Sequence, residues 1–496
     1  MITRVFKLLK VLAVVLVVAA VTLIGVRLYD TQRGPGLELW HTYVPEELER
    51  ADIDEADWEA YLAQEERIFA DVRAEVTDRL DPEAQDDANR YYAGSPVYPG
   101  GFADDWNRSY ILAPQGEARG AAVFLHGLTD SPYSLRHLAR QYRDLGFVAV
   151  AIRMPAHGTV PAALTKVEWE DWLAATRLAV REARRRIRVG KPLHIVGFSN
   201  GGALAMKYAL DGLDDPGLPR PDRLILISPM IGITAFARFA GLAALPAHLP
   251  AFAKAAWLSL VPEFNPFKYN SFPVNGARQA HALTRALQQQ INTKARAGAL
   301  EGLAPVLTFQ SVTDFTVSTR AVISALYNQL PANGSELVLF DLNRAAKFGL
   351  LLARSAELRL TRLLPPPPRP FRTTIITNAA DNTGEMVERV VEAGGAEEQV
   401  RPLGLAYPAD IFSLSHVALP FPPSDALYGF APGNDEDFGV NLGTMASRGE
   451  IGVLIVNLDF LMRIASNPFF PYLSDRVMKE VPPAGLAESL PPAGAP

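Results

Sequence analysis

Leu193-His194-Ile195-Val196-Gly197-Phe198-Ser199-Asn200-Gly201 passes from an apolar run into a helix-prone one, Ala203-Leu204-Ala205-Met206-Lys207-Tyr208. The order reads as strand, sharp turn, helix. Glycines two positions before and after Ser199 let the backbone reverse without a Cβ clash, which aims the hydroxyl into a cleft beside the first amides of the helix. A serine so placed is a candidate nucleophile, and Gly197 and Gly201 are the elbow glycines that permit it. The five-residue pattern alone is weak; the strand before it and the helix after it give it weight.

Working outward, short apolar runs alternate with helix-like stretches. Ala121 to Leu125, Val148 to Ile152, Leu193 to Val196, Leu224 to Ile227, Val306 to Phe309 and Leu337 to Phe340 each read as a buried strand. Strands separated by helices imply a mostly parallel sheet with helices on both faces, and ligands then sit at the carboxyl ends of the strands. Ser199 falls at such an end.

Two segments break the alternation. Residues 231–303 show no clear strand but carry Phe236, Phe239, Leu242, Leu245, Leu249, Phe252, Trp257 and Leu258, more apolar surface than a connecting loop can leave in water. We read them as a helical cap over the cleft. Residues 343–407 contain the stiff run Pro365-Pro366-Pro367-Pro368 and one more apolar run, Thr374-Ile375-Ile376, and read as an insertion. The last residues, 481–496, are rich in Pro and Ala and read as a disordered tail.

The amino terminus is of another kind. Val11 to Val26 carry no charge, and the apolar stretch extends from Phe6 to Leu28 if Lys7, Lys10 and Arg27 reach towards headgroups. It is longer than a signal-peptide core and lacks a small-residue cleavage site, so residues 1–30 read as a single transmembrane helix with a cytoplasmic amino terminus, with a cleaved secretory signal as the alternative. Arg4, Lys7 and Lys10 before it place the rest of the chain on the exported side, periplasmic or extracellular. Within residues 31–100, the stretch from Glu46 to Arg90 holds 17 acidic and 5 basic residues. Trp58, Tyr61, Leu62, Ile68, Phe69, Val72, Val76 and Leu80 recur there at helical steps, which predicts an amphipathic helix laid on the main domain with its acidic face in water. The main domain spans residues 101–480.

Composition excludes some roles. The chain has 496 residues, 49% of them hydrophobic, a net charge of -6 and no cysteine. It can bury a large core, but it offers no basic stripe for nucleic acid and no thiolate metal site. The eight histidines are dispersed without a His-x-x-x-His or His-Glu-x-x-His pair, so the sequence calls for no metal and no cofactor. Its partners are then a small-molecule or lipid substrate and the membrane; it marks no protein partner.

A serine hydroxyl needs a base to take its proton and a carboxylate to fix that base's tautomer. On a platform with the serine at a strand-to-helix turn, the carboxylate and then the histidine follow in the chain. His416, in Phe412-Ser413-Leu414-Ser415-His416, is the histidine that satisfies this order. Two carboxylates compete. Asp381 lies 35 residues before His416 and is favoured by spacing; Asp314, 102 residues before it, follows the strand Val306 to Phe309 and is favoured by strand order. We take Asp314, because loop length costs little free energy, and keep Asp381 as the alternative. The backbone N–H groups of Asn200 and of Leu128, in the turn His126-Gly127-Leu128-Thr129, would receive a developing oxyanion. His126 shapes that turn and transfers no proton.

Residues from about Ser109 to Leu427 resemble an α/β-hydrolase of the carboxylesterase and monoacylglycerol lipase branch. The likeness rests on His126-Gly127-Leu128-Thr129-Asp130-Ser131-Pro132, on Arg153-Met154-Pro155-Ala156-His157-Gly158-Thr159 with Trp169-Glu170-Asp171-Trp172, on Gly197 to Gly201 and on Ser311 to Val317. It implies an α/β-hydrolase fold with Ser199, Asp314 and His416 as a triad, and a serine hydrolase that cleaves esters, with lipid-like acyl esters as the leading substrate. A peptidase or thioesterase would use the same triad, and a cell-envelope scaffold would not need it. Ala156 stands where the family usually has a second glycine. The membrane segment, the acidic helix and the long insertion lie outside the common pattern.

Overall fold

The computed structural model describes residues 34–232, 250–347, 363–445 and 465–483, with scattered positions between 7 and 29 and at 454–456 and 461–463. Apart from those positions the expected membrane segment lies outside the described residues, as do 233–249 of the expected cap and 484–496 of the expected tail. Among the described residues no helix is long and apolar enough to cross a membrane.

Twelve strands are described: β1 Tyr110–Leu112, β2 Gly120–Leu125, β3 Phe147–Ile152, β4 Leu193–Phe198, β5 Arg223–Ile227, β6 Trp257–Ser259, β7 Phe272–Pro273, β8 Val306–Ser311, β9 Glu336–Phe340, β10 Arg372–Asn378, β11 Glu385–Val391 and β12 Glu398–Ala406. Ten of them form one sheet in the order β1-β3-β2-β4-β5-β8-β9-β10-β11-β12. From β3 to β10 neighbours run parallel, whereas β1, β11 and β12 pair antiparallel at the two edges. All six strands expected from apolar runs lie in this parallel centre.

Strand parity divides the core into two layers. Ala121, Val123 and Leu125 of β2 face one layer, with Leu224 and Leu226 of β5; Ala122, Phe124, Ile225 and Ile227 face the other. Six longer helices, α1 Trp58–Glu75, α2 Arg136–Asp144, α3 Trp169–Arg185, α4 Asn200–Asp214, α5 Val274–Arg296 and α6 Phe470–Met478, cover these faces. The first layer holds the buried faces of α3, α4 and α5 with Trp58 and Tyr61 of α1; the second holds those of α2 and α6.

The segment expected as an insertion lengthens the sheet. β10 pairs with β9 through five registered positions, Arg372 opposite Glu336 to Ile376 opposite Phe340, and buries Thr373, Thr374 and Ile376. β11, which buries Met386 and Val390, and the polar edge strand β12, most of which faces water, continue it, so no apolar run marks β12 in the sequence. The segment expected as a strandless helical cap is also mixed. It contains the small hairpin β6–β7 and the 23-residue helix α5. The short strand β1 and the helix α6 carry no clear sequence signal either.

Buried arginines fasten remote segments to this frame. Arg153, 1% exposed at its side chain after β3, reaches Glu65 of α1 at 3.1 Å and Glu47 at 2.8 Å, so the acidic amino-terminal segment supplies the counter-charges of a buried cation. Glu47 also accepts from the Ala156 N–H at 2.9 Å. Ala156 sits at φ 68°, the left-handed conformation that glycine would adopt freely, and this contact with the Tyr269 hydroxyl's donation to the Ala156 carbonyl holds it there.

At the other end, Arg136 of α2 meets Asp425 at 2.8 Å with both side chains fully buried. The same carboxylate accepts from His137, the Tyr133 hydroxyl and the Leu427 and Tyr428 N–H groups. Burial alone would push the Asp425 carboxyl up; Arg136 and the His137 hydrogen bond outweigh it and hold it below the usual carboxylate value. This clamp fixes the chain just after His416. An acid whose folded pKa is depressed stabilises the fold above its unfolded value, about 4, and loses that contribution as pH falls towards the folded value. Asp425→Asn should therefore cost about 3 kcal/mol at neutral pH. In urea unfolding measured across pH, the gap to wild type should narrow as the pH drops below about 4; curves that stay parallel would contradict the assignment.

Candidate active site

Four non-glycine residues among those described have positive φ: Thr129 at 63°, Ala156 at 68°, Ser199 at 54° and Ser228 at 43°. They follow β2, β3, β4 and β5 respectively, all four at the carboxyl-end rim of the sheet. Such conformations cost of order 1–3 kcal/mol each and persist only where packing enforces them. At Ser199 the enforcement is legible. A Cβ on Gly201 would lie 1.9 Å from the Leu125 carbonyl oxygen, and one on Gly197 would lie 2.5 Å from the Gly201 oxygen. The missing side chains let α4 close onto the ends of β2 and β4. The Ser199 N–H donates to the Ile227 carbonyl at 3.0 Å, and its own carbonyl accepts from the Met230 N–H at 2.9 Å, which pins the turn to the loop after β5.

Asp314 follows β8 in the turn Ser311 to Val317. One carboxylate oxygen accepts from the Thr316 and Val317 N–H groups at 2.8 and 2.9 Å; the other accepts from His416 Nδ1 at 2.9 Å and from Gln310 Nε2 at 3.1 Å. Burial would raise its pKa, but His416 and the backbone donors more than offset it, and the carboxyl is held below its ordinary value. His416 thus presents Nε2 away from this pair. Its ring stacks on Phe198 with centroids 5.3 Å apart, beside Ser199, and Ser199 and His416 line the same cleft.

Asp381 lies elsewhere. Its side chain is 87% exposed and pairs with Arg344 at 3.8 Å. Of the two carboxylates that the sequence offered, the fold brings Asp314 to the histidine.

The cleft encloses about 380 Å³ and is mainly apolar, with Leu128, Phe198, Met230, Tyr269, Phe272 and Val417 among its walls. Leu128 lies in the turn after β2, and Asn200 opens α4, so its N–H is a first-turn donor without an intrahelical acceptor. His126 receives the Met154 N–H at Nε2 and donates from Nδ1 to the Gly127 carbonyl, and burial keeps it well below the usual histidine value. It is a neutral brace of the turn. Among the described residues no group of three or more ligating side chains could hold a metal.

Sequence reading missed several residues of this site. Gln310, buried near the end of β8, braces Asp314, and a long polar side chain next to Phe309 in a buried strand was its signal. Lys268 and Arg463 also line the cleft, and nothing in their local sequence marks them.

Sheet order, elbow and acid loop define an α/β-hydrolase fold, and residues 116–343 match the family model described as serine aminopeptidase, S33. A thermostable monoacylglycerol lipase from Bacillus sp. (strain H-257) is 28% identical over 87 residues, which are 18% of this chain and 34% of the relative. The chain therefore spans about a third of the length of that curated relative. Among solved structures, one of the metagenome-derived lipolytic enzymes LipS and LipT aligns at 20% identity and a TM-score of 0.38, covering 52% of this chain and 97% of that one. A soluble variant of monoglyceride lipase from Saccharomyces cerevisiae, in complex with a substrate analog, aligns at 16% identity and a TM-score of 0.35, covering 47% and 81%.

Gly201→Ala tests the elbow. Its added methyl cannot avoid the Leu125 carbonyl, so the variant should lose about 3 kcal/mol in denaturant unfolding, at the upper end for overpacking. A loss under about 0.5 kcal/mol, the level of an ordinary surface change, would mean that the close approach is not enforced.

Proposed function

We propose that this protein is a membrane-anchored serine hydrolase that cleaves carboxylic esters of lipid-like acyl chains through an acyl-enzyme. The observation that carries the proposal is the Asp314–His416 hydrogen bond of 2.9 Å beside a serine held at φ 54° in the same apolar cleft. Ser199 Oγ attacks the ester carbonyl while His416 Nε2 takes its proton; Asp314 fixes the tautomer and offsets the imidazolium charge. The N–H groups of Leu128 and Asn200 receive the oxyanion, and His416 then returns the proton to the leaving alcohol. Water repeats the sequence on the acyl-enzyme.

The matched family is described as a serine aminopeptidase, whereas the curated relative is a monoacylglycerol lipase. The cleft favours the ester reading. An aminopeptidase must receive a charged amino group, and the side chains of full charge that line this cleft, Lys268 and Arg463, are both cationic.

Ser199→Ala should abolish turnover of an aryl ester with folding intact, and Asp314→Asn should lower kcat by about 10³ or more, as the wrong tautomer is favoured. Asp381→Asn should change it less than about twofold, as expected for an exposed carboxylate outside the cleft. Comparable losses from Asp314→Asn and Asp381→Asn would refute the assignment.

The anchor rests on Val11 to Val26 and the cations before them. Removing residues 1–33 should move the protein from the membrane fraction to the soluble one. If the shortened chain still sediments with membranes, the anchor lies elsewhere.

A further inference from the structure

Lys268 and Arg463 hold positions in the cleft that the ester mechanism leaves unused. Lys268 belongs to the segment Asn265 to Asn270, which is bound to the oxyanion turn: the Tyr269 N–H donates to the Thr129 carbonyl at 2.8 Å. Arg463, exposed to solvent at the cleft, is held by the acid loop. Its guanidinium donates to the Thr316 hydroxyl at 2.6 Å, and the Thr316 N–H in turn donates to Asp314. The two cations thus belong to different supports of the reacting centre, one tied to the turn after β2 and one to the acid loop, and both line the cleft.

Among the described residues neither forms a salt bridge. Asp130 is the carboxylate whose field reaches Lys268; it is buried on the turn, and burial pushes its carboxyl up. Burial lowers the Lys268 ammonium, Asp130 opposes that shift, and the Arg463 charge adds to it. Neither cation has a carboxylate in direct contact among the described residues, and an anion placed between them would add a charge-assisted partner for both and offset the desolvation of Lys268. Asn265 and Asn270, which also line the cleft, bring polar side chains to the same region.

We propose that Lys268 and Arg463 form a subsite for an anionic group, carboxylate or phosphate, carried by the ester substrate. The substrate class is then an amphiphile: an apolar chain against Leu128, Met230 and Phe272, with a negative group between the two cations. The inference rests on the serine hydrolase reading and adds the charge of the substrate to it.

The test compares matched substrates on the full chain. One arm sets the nitrophenyl monoester of adipate against nitrophenyl hexanoate and places the charge on the acyl side; the other sets a monoacylglycerol phosphate against the monoacylglycerol of the same chain and places it on the alcohol side. In one of these arms the anionic ester should be preferred in kcat/KM by about tenfold or more, the scale of a charge-assisted contact. Lys268→Gln and Arg463→Gln should each shrink that ratio mainly through KM, Lys268→Arg should restore most of it, and added salt should weaken it. Hydrolysis of the neutral esters with no anionic preference in either arm, or a preference that survives both glutamine substitutions, overturns the subsite alone. No hydrolysis of any of the four esters overturns the serine hydrolase reading and the subsite with it.

Discussion

A helix can approach two neighbouring strand ends closely only where side chains are absent, and that constraint governs this protein. Gly201 lets α4 lie against the Leu125 carbonyl, and Gly197 lets the chain leave β4 beneath it. The backbone at Ser199 has no room for the ordinary right-handed turn and takes φ 54°. The hydroxyl then stands at the rim of the sheet, beside the first-turn amides of α4 and the turn after β2. Everything proposed for the reaction uses this position: attack from Oγ, oxyanion donors at Leu128 and Asn200, proton transfer by an imidazole reached from the neighbouring strand ends.

The imidazole arrives by a different kind of physics. No regular element carries His416, whose loop follows the edge strand β12, so its place is set by contacts at both ends. Asp314 holds the ring through Nδ1, and the buried Arg136–Asp425 pair holds the chain nine residues further on. Each of these contacts joins segments more than a hundred residues apart, and each carboxylate collects backbone donors besides its cationic or imidazole partner. Arg153 performs a similar task for the acidic amino-terminal segment, whose Glu47 and Glu65 neutralise it and support the strained Ala156. Buried charges with complete sets of partners specify geometry more surely than they add stability.

What could be read beforehand follows from which interactions are local. The six central strands were legible because they are buried on both faces and appear as short, mainly apolar runs, and the elbow was legible because its glycines answer a local steric demand. β12 was not, since an edge strand exposed to water has no apolar signature, and the short β6 and β7 are set by tertiary pairing. For the acid, chain spacing pointed to Asp381 and strand order to Asp314; the fold follows strand order, since β10 to β12 fill the long gap with sheet structure while Asp314 stays at the rim. Lys268 and Arg463 were invisible because only the folded chain makes two isolated cations face one cleft.

The central claim is that this backbone geometry, with the Asp314–His416 pair, makes one hydroxyl reactive. Peptide mapping after treatment with a fluorophosphonate tests it most directly. The account predicts a single phosphonyl adduct on Ser199, forming far more slowly when His416 is replaced by alanine. An adduct on another serine, or equal rates with and without the imidazole, would contradict it.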